Sequence, residues 1–200
     1  MGRVSFSCGR VTLSLSVSLL LLVFCAVSAA QSESFTDVLK VDYFDNANLA
    51  GHLDAKLRLT NEGTSGVQNV CAAIYVFGED EQMQACCNCF LSIDGLRKLS
   101  VDNDLTSNPI INRPLHIGTL RIVSNNAAAE NSCPDPGSGV VPIPGVRAWA
   151  SHLQEDNHLT ETASQDATLN PNELSSLQLQ CSFLELSGSG RGFCTCGTGD

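Results

Sequence analysis

The chain has 200 residues and a formal net charge of −10, which fits one globular domain or two small ones. Arg3 and Arg10 are the only charged residues among the first thirty, so residues 31–200 hold 9 basic and 21 acidic side chains, a net charge of −12. This balance excludes a phosphate-backbone binder as the default expectation, because nucleic-acid affinity rests on clustered Lys and Arg. An apolar fraction of 43% excludes a wholly disordered chain.

The first thirty residues have the three parts of a secretory signal peptide. Arg3 and Arg10 precede an apolar run at 13–27, and small residues follow that run up to Ala30. A basic start, an apolar middle and a small-residue end predict export, with cleavage after Ala30 or one residue earlier. A retained membrane anchor is the alternative, because the apolar run is nearly long enough to span a bilayer. Lipid modification of Cys25 is a third possibility, which the large residue before it disfavours.

Residues 31–200 are predicted to form one β-rich domain with no further membrane span. Apolar and polar side chains alternate most clearly at 53–60, which is typical of a half-buried antiparallel strand. Other strands are predicted at 38–44, 70–77, 84–93, 117–123, 146–153 and 158–163. The stretches 94–115 and 125–145 are expected to be irregular, because prolines and turn residues interrupt them.

The predicted strands at 70–77 and 84–93 flank a polar, turn-like segment, so they are expected to form a β-hairpin. A hairpin that is symmetric about Asp80 places Cys71 opposite Cys89. This is the only disulfide pairing that the sequence suggests. A slip of one residue would move the whole set of side chains to the other face of the sheet.

One helix is signalled late in the sequence. Asn170 is a good N-cap, Pro171 suits the first helical position and Glu173 suits the third. An apolar stripe follows, made of Leu174, Leu177, Cys181 and Leu184. Gly188 is a credible stop, and residues 187–200 form a tail rich in Gly, Ser and Cys. A cysteine on the buried stripe suggests a bridge from the helix to the sheet or to this tail.

About seven short strands and one late helix predict a mainly β fold, an antiparallel sandwich-like domain with one C-terminal helix. Eight cysteines follow the leader: Cys71, Cys86, Cys87, Cys89, Cys133, Cys181, Cys194 and Cys196. An even count in an exported chain indicates a disulfide-stapled domain. Counting alone leaves 105 pairings open. Cys86 and Cys87 alternate faces on a strand and need different partners, and a direct Cys194–Cys196 bridge would be strained.

A soft-metal site is the alternative use of the same sulfur atoms. Thiolates of five cysteines are dense enough in the sequence to hold Cu(I) or Zn(II), namely Cys86, Cys87, Cys89, Cys194 and Cys196. The repeated C-x-x-C spacing of structural zinc sites is absent, and no histidine is adjacent to a cysteine. Export also favours oxidation over metal capture. We therefore expect disulfides, with no metal and no other cofactor.

Residues with catalytic chemistry occur near the end of one predicted strand. His152 stands next to Ser151 and close to Glu155 and Asp156. A catalytic triad is defined by geometry rather than by adjacency in sequence. We therefore expect these polar residues to lie in the solvated turn of a hairpin rather than in a catalytic site. A hydrolase would need a pocket that puts His152 within hydrogen-bond reach of a hydroxyl and a carboxylate.

Other polar or aromatic groups have simpler explanations than a binding site. The acids at 79–81 and 102–104 offer oxygen ligands for calcium, but the glycine and the distant glutamate of an EF-hand loop do not follow. The Gly-rich run at 187–192 lacks the Lys-Ser/Thr of a phosphate-binding loop and is expected to be a linker. Trp149, the only tryptophan, is expected in the core rather than on a ligand-stacking surface.

Several short motifs occur together: Asn-Val-Cys-Ala at 69–72, Tyr-Val-Phe at 75–77, Cys-Cys-Asn-Cys at 86–89, Leu-Ser-Val at 99–101, the run at 104–109, Arg-Ala-Trp at 147–149, Gly-Ser-Gly at 188–190 and Cys-Thr-Cys at 194–196. This combination resembles a group of uncharacterised secreted bacterial proteins with CCxC and CTCG cysteine patterns. The similarity extends over about residues 55–197. It implies export and a bacterial origin, and it brings no activity, cofactor or catalytic residue with it.

The sequence thus favours an exported, disulfide-stabilised domain with a non-enzymatic binding or structural role at the cell surface, in the periplasm or outside the cell. A partner is expected to be an extracellular protein or a glycan, with no nucleic acid and, after signal cleavage, no membrane. Thiolate metal binding is the second hypothesis. A hydrolase with an unrecognised site is the third, because no nucleophile stands out.

Overall fold

The computed structural model describes residues 35–63, 69–128, 131–154, 156–188 and 190–197, so the predicted signal peptide lies outside the described residues. The strands are β1 (Phe35–Phe44), β2 (Lys56–Asn61), β3 (Val70–Gly78), β4 (Met83–Leu91), β5 (Leu96–Ser100), β6 (Gly118–Asn126), β7 (Val146–Leu153), β8 (Leu159–Ala163) and β9 (Gln165–Leu169). A π-helical turn, Val101–Leu105, follows β5, and helix α1 spans Pro171–Ser187. No helix among the described residues has the length and apolarity needed to cross a membrane.

The strands form two antiparallel sheets that pack face to face. One sheet has the order β4-β3-β6-β1-β9, and the other has the order β5-β2-β7-β8. Their inner faces meet in one buried cluster, which includes Leu57 and Leu59 of β2, Ile74 of β3, and Leu120 and Ile122 of β6. The predicted mainly β, sandwich-like fold is therefore confirmed.

Helix α1 covers the outer face of the five-stranded sheet. The side chain of Asn170 accepts a hydrogen bond from the amide of Glu173, which confirms the predicted N-cap. Three side chains of the predicted stripe are buried, namely Leu177, Cys181 and Leu184. They pack in a second cluster with Ala73 and Tyr75 of β3. Because β3 lies between two apolar layers, its sequence is apolar almost throughout instead of alternating.

Two strands lie where the sequence predicts none. β5 and the π-helical turn fall in the stretch expected to be irregular, and β9 follows β8 after a single residue. Both strands are at sheet edges. Three of the five β9 side chains are exposed, and β5 buries only its last two residues. An edge strand that covers no core on one side has little apolar alternation, so the pattern that predicts strands is missing from its sequence.

The hairpin of β3 and β4 corrects the predicted pairing of Cys71 with Cys89. Next to the turn, Phe77 pairs with Met83, as symmetry about Asp80 requires, but Val76 pairs with Ala85. Gln84 is therefore an extra residue in β4, a β-bulge that shifts all later pairs by one. Cys89 lies opposite Ala72, and Cys71 lies opposite Phe90.

Trp149 is partly exposed, so the prediction that it belongs to the core is wrong. Its neighbours Ala148 and Ala150 are buried in the cluster between the sheets. Since side chains alternate along a strand, Trp149 lies on the outer face of the four-stranded sheet, where Arg58 of β2 is its cross-strand partner.

Candidate functional site

All eight cysteines after residue 30 are joined in four disulfides: Cys71–Cys133, Cys86–Cys181, Cys87–Cys194 and Cys89–Cys196. The predicted disulfide framework is confirmed. The structure also confirms that Cys86 and Cys87 have different partners. One of these bridges, Cys86–Cys181, joins the helix to the sheet as predicted. The guessed bridge between Cys71 and Cys89 is wrong, because the bulge places them on opposite faces of the sheet. A framework of this density indicates an oxidising compartment, extracellular or periplasmic.

Strand β4 carries three of the four bridges. Cys86 lies in the cluster beneath helix α1, whereas Cys87 and Cys89 lie in the cluster between the sheets. The tail runs along the open edge of β4, where the amide of Cys86 donates to Gly192 O at 2.9 Å and the amide of Cys194 donates to Cys86 O at 3.3 Å. The tail thus covers the edge strand and is bonded to it covalently.

The structure divides the five cysteines of the proposed metal site. The Sγ atoms of Cys87, Cys89 and Cys196 lie within 4.8 Å of one another, and Cys194 is bonded to the first of them. Cys86 belongs instead to a group on the other face of the sheet, with Cys181 and Glu185. Four sulfur atoms are therefore neighbours, but in the disulfide form they are not thiolates, the form that binds zinc or copper.

His152 is buried, with 4% of its surface exposed, so the prediction of a solvated turn is wrong for this residue. Its Nε2 atom lies 2.9 Å from Thr162 Oγ1 and 3.5 Å from Asp42 Oδ1. The hydroxyl of Ser164 donates to the other oxygen of Asp42 at 2.5 Å. Tyr43 stacks on the His152 ring with centroids 4.2 Å apart.

This arrangement differs from a catalytic triad in a specific way. The hydroxyl and the carboxylate both approach Nε2 of His152, whereas a triad places them on opposite ring nitrogens. Its Nδ1 atom has no hydrogen-bond partner among the described residues. Ser151, the neighbour considered from sequence, bonds to the backbone of Lys56, and Asp156 contacts His158. The cluster is best described as a buried polar contact between the two sheets.

The two aspartates considered for calcium at 102–104 hold the backbone in place, whereas Glu79 and Glu81 are exposed. The carboxylate of Asp102 accepts from the amide of Asn48, and that of Asp104 accepts from the amide of Ser100. The Asp54 carboxylate lies beside them. Its burial by itself would raise its pKa, but hydrogen bonds from Lys56, Ser100 and the Asp102 amide outweigh burial and lower the pKa. These carboxylates therefore join the π-helical turn to Asn48 and to the neighbouring strand, while the Ser100 side chain is its N-cap.

A groove on the outer face of the five-stranded sheet was not predicted. It encloses about 700 Å³ and is bounded by the end of β1, the β3–β4 turn and the start of β6. Tyr43, Phe77 and Ile117 supply its apolar surface. Tyr43 of β1 is 52% exposed, and Ile117, which precedes β6, is 46% exposed. The volume is within the range of small-molecule sites, about 300–1,000 Å³.

The base of the groove depends on Gly118. A Cβ atom at this position would lie 2.1 Å from the carbonyl oxygen of Phe77 and 2.5 Å from the ring of Phe44, so only glycine fits. The two loops beside the groove are bonded to each other. The amide of Ala47 donates to His116 O at 3.0 Å, and His116 Nδ1 lies 2.7 Å from Ala47 O. These contacts therefore hold the two loops beside the groove against each other.

The charges that line the groove are mostly negative. Asp45, Glu79 and Glu81 contribute three carboxylates, against the single guanidinium of Arg121. That guanidinium forms an ion pair with Glu173 and lies over the ring of Phe77, 5.8 Å from its centroid. None of the ion pairs among the described residues involves the three carboxylates.

Comparison with known proteins adds no relative: no family model matches the chain, and neither the curated proteins nor the solved structures contain a match.

Proposed function

We propose that this protein is an exported, disulfide-stabilised β-sandwich domain with a binding role outside the cytosol and no catalytic activity. The observation that carries the proposal is the oxidation of all eight cysteines that follow the leader. Four bridges of this kind persist where the redox environment is oxidising. The basic, apolar and small-residue segments of residues 1–30 supply the means of export.

A binding role is favoured over a purely structural one by the groove. Its Tyr43 and Ile117 side chains are exposed, although helix α1 and Val140 cover other parts of the same sheet face. Its backbone is fixed by Gly118 and by the contacts between the two adjoining loops. A preformed concave site with a few polar groups is typical of ligand binding.

Export and oxidation can be tested together in a bacterial host that secretes the full chain. Intact mass is measured with and without alkylation, in the absence of reductant. We expect a chain that lacks residues 1–30 and has no free thiol. A matched pair of leader variants serves as the control: Leu20→Arg interrupts the apolar run and should retain the chain in the cytosol, whereas Leu20→Ile should not. Free thiols in the exported chain would contradict the proposal.

Thiolate metal binding is the second candidate, because three sulfur atoms lie within 4.8 Å of one another and a fourth is bonded to them. Four or more free thiols together with copurified copper or zinc would establish it in place of the disulfide framework. Substitution of Cys86, which lies on the other face, should then leave the metal content unchanged, whereas substitution of Cys89 should lower it.

A further inference from the structure

We propose that the groove beside Tyr43 and Gly118 is a binding site for a small organic cation, an ammonium or guanidinium group carried on an apolar body. The inference deepens the proposed binding role and rests on it. It starts from the combination of an aromatic surface with carboxylates that have no basic partner among the described residues.

The apolar part of the ligand would contact Tyr43, Phe77 and Ile117. The Tyr43 ring is held by its stack on His152, so its position does not depend on a ligand. The guanidinium of Arg121 already lies over the Phe77 ring, so the more exposed Tyr43 ring is the one available to a ligand cation. An aromatic floor of this kind favours organic cations over strongly hydrated inorganic ones.

The charged part of the ligand would face the carboxylates of Asp45, Glu79 and Glu81. Glu79 and Glu81 are exposed on the β3–β4 turn, where an N–H group of a ligand in the groove can reach their carboxylates. The net charge of −12 over residues 31–200 also raises the local concentration of cations.

A bare metal ion does not fit this arrangement. Metal sites need ligand atoms that converge on one point. Among the described residues, the groups whose ligand atoms all lie within 4.8 Å of one another contain none of these three carboxylates. Separate carboxylates suit a ligand with several N–H donors better than a single ion.

A protein partner does not fit the size of the exposed surface. A stable protein interface buries roughly 800 Å² on each side. In the groove, only Tyr43 and Ile117 are large apolar side chains with strong exposure. An open groove of about 700 Å³ instead matches one small molecule.

The test uses the exported, oxidised protein and three probes of similar shape. 2-Phenylethylamine carries the ammonium group, 2-phenylethanol is its neutral analogue and 3-phenylpropanoate is the anionic analogue. Binding is followed by NMR shifts of the Tyr43 ring and the Gly118 amide at low salt. We expect the amine to bind about tenfold more tightly than the alcohol, the anion not to bind, and the preference to fall as salt is added.

Paired variants separate local charge from net charge. Glu79→Gln with Glu81→Gln should weaken amine binding about threefold to tenfold. Asp94→Asn removes a carboxylate at the opposite end of β4 and should leave binding unchanged. Both target positions are exposed, so the fold should tolerate the changes.

The inference is overturned if the alcohol or the anion binds as tightly as the amine, if no probe shifts Tyr43 and Gly118, or if Asp94→Asn weakens binding as much as the double variant. If a Lys-containing peptide binds to the groove and the amine does not, the ligand is a protein segment rather than a small molecule, and the inference is wrong. Each of these outcomes is distinct from failure of the proposed function, which would appear as free thiols or failed export.

Discussion

Removal of the Cys87–Cys194 bridge is predicted to destabilise the protein less than removal of the Cys71–Cys133 bridge. The first bridge joins residues 107 apart and the second joins residues 62 apart. A disulfide stabilises mainly by restricting the unfolded chain, and the effect grows with the length of the closed loop. Considered alone, these loops would contribute about 4.8 and about 4.3 kcal/mol, which gives the opposite order.

The neighbouring bridges change this calculation. When Cys87 and Cys194 are replaced, Cys89–Cys196 still joins positions two residues away on each side. Removing Cys87–Cys194 therefore opens only the small ring that the two bridges close together, which has about six residues. The expected loss in free energy of unfolding is about 2 kcal/mol. The Cys71–Cys133 loop has no such shortcut, since the path through Cys86–Cys181 is no shorter, so about 4 kcal/mol is lost there.

The assay compares Cys87→Ala/Cys194→Ala with Cys71→Ala/Cys133→Ala. Unfolding in guanidinium chloride is followed by circular dichroism without reductant, after intact mass has confirmed three remaining bridges in each variant. Each pair is largely enclosed, so the loss of packing is similar in the two variants. We expect free energies of unfolding that differ by about 2 kcal/mol. An equal loss, or a larger loss for the first variant, would refute the reasoning.

Three further predictions use the same unfolding assay. Asn170→Ala removes the N-cap of helix α1 and should cost about 1 kcal/mol, whereas no loss would mean that the cap is not used. Gly118→Ala forces a Cβ against the Phe77 carbonyl and should cost about 3 kcal/mol; a fully stable variant would show that the base of the groove can relax. Burial and the Asp135 carboxylate raise the pKa of Glu185, so its ionisation as pH rises opposes folding. Glu185→Gln should therefore stabilise the protein at pH 7 and not at pH 3, and an equal effect at both pH values would contradict this.

Local sequence patterns predict the elements that bury one clear face. The stretch 53–60 alternates and contains all of β2 except its last residue, 146–153 coincides with β7, and the Asn-Pro-x-Glu signal places the start of α1. β5 and β9 are short edge strands whose sequences do not alternate between apolar and polar residues. Their positions are decided by backbone pairing with strands distant in sequence, which a local pattern does not contain.

The groove could not be predicted for the same physical reason. Tyr43, Phe77 and Thr119 share one stretch of sheet face only because β1 and β3 both pair with β6 in one register. The acids of the β3–β4 turn are easily taken for a solvated loop, which their exposure supports. Gly118 is the only local signal, and its role depends on Phe44, a residue 74 positions away.

The cysteine connectivity depends on one residue, Gln84. Without the bulge, symmetry about Asp80 would place Cys71 and Cys89 on one face, where a bridge across the hairpin would close a loop of fewer than twenty residues. With the bulge, Cys89 faces the sandwich core and can reach the tail, and Cys71 faces outward and reaches Cys133. Each bridge then closes a loop of 62 residues or more. Because a one-residue shift exchanges the two faces of a strand, the position of this bulge decides which distant segments the hairpin can hold.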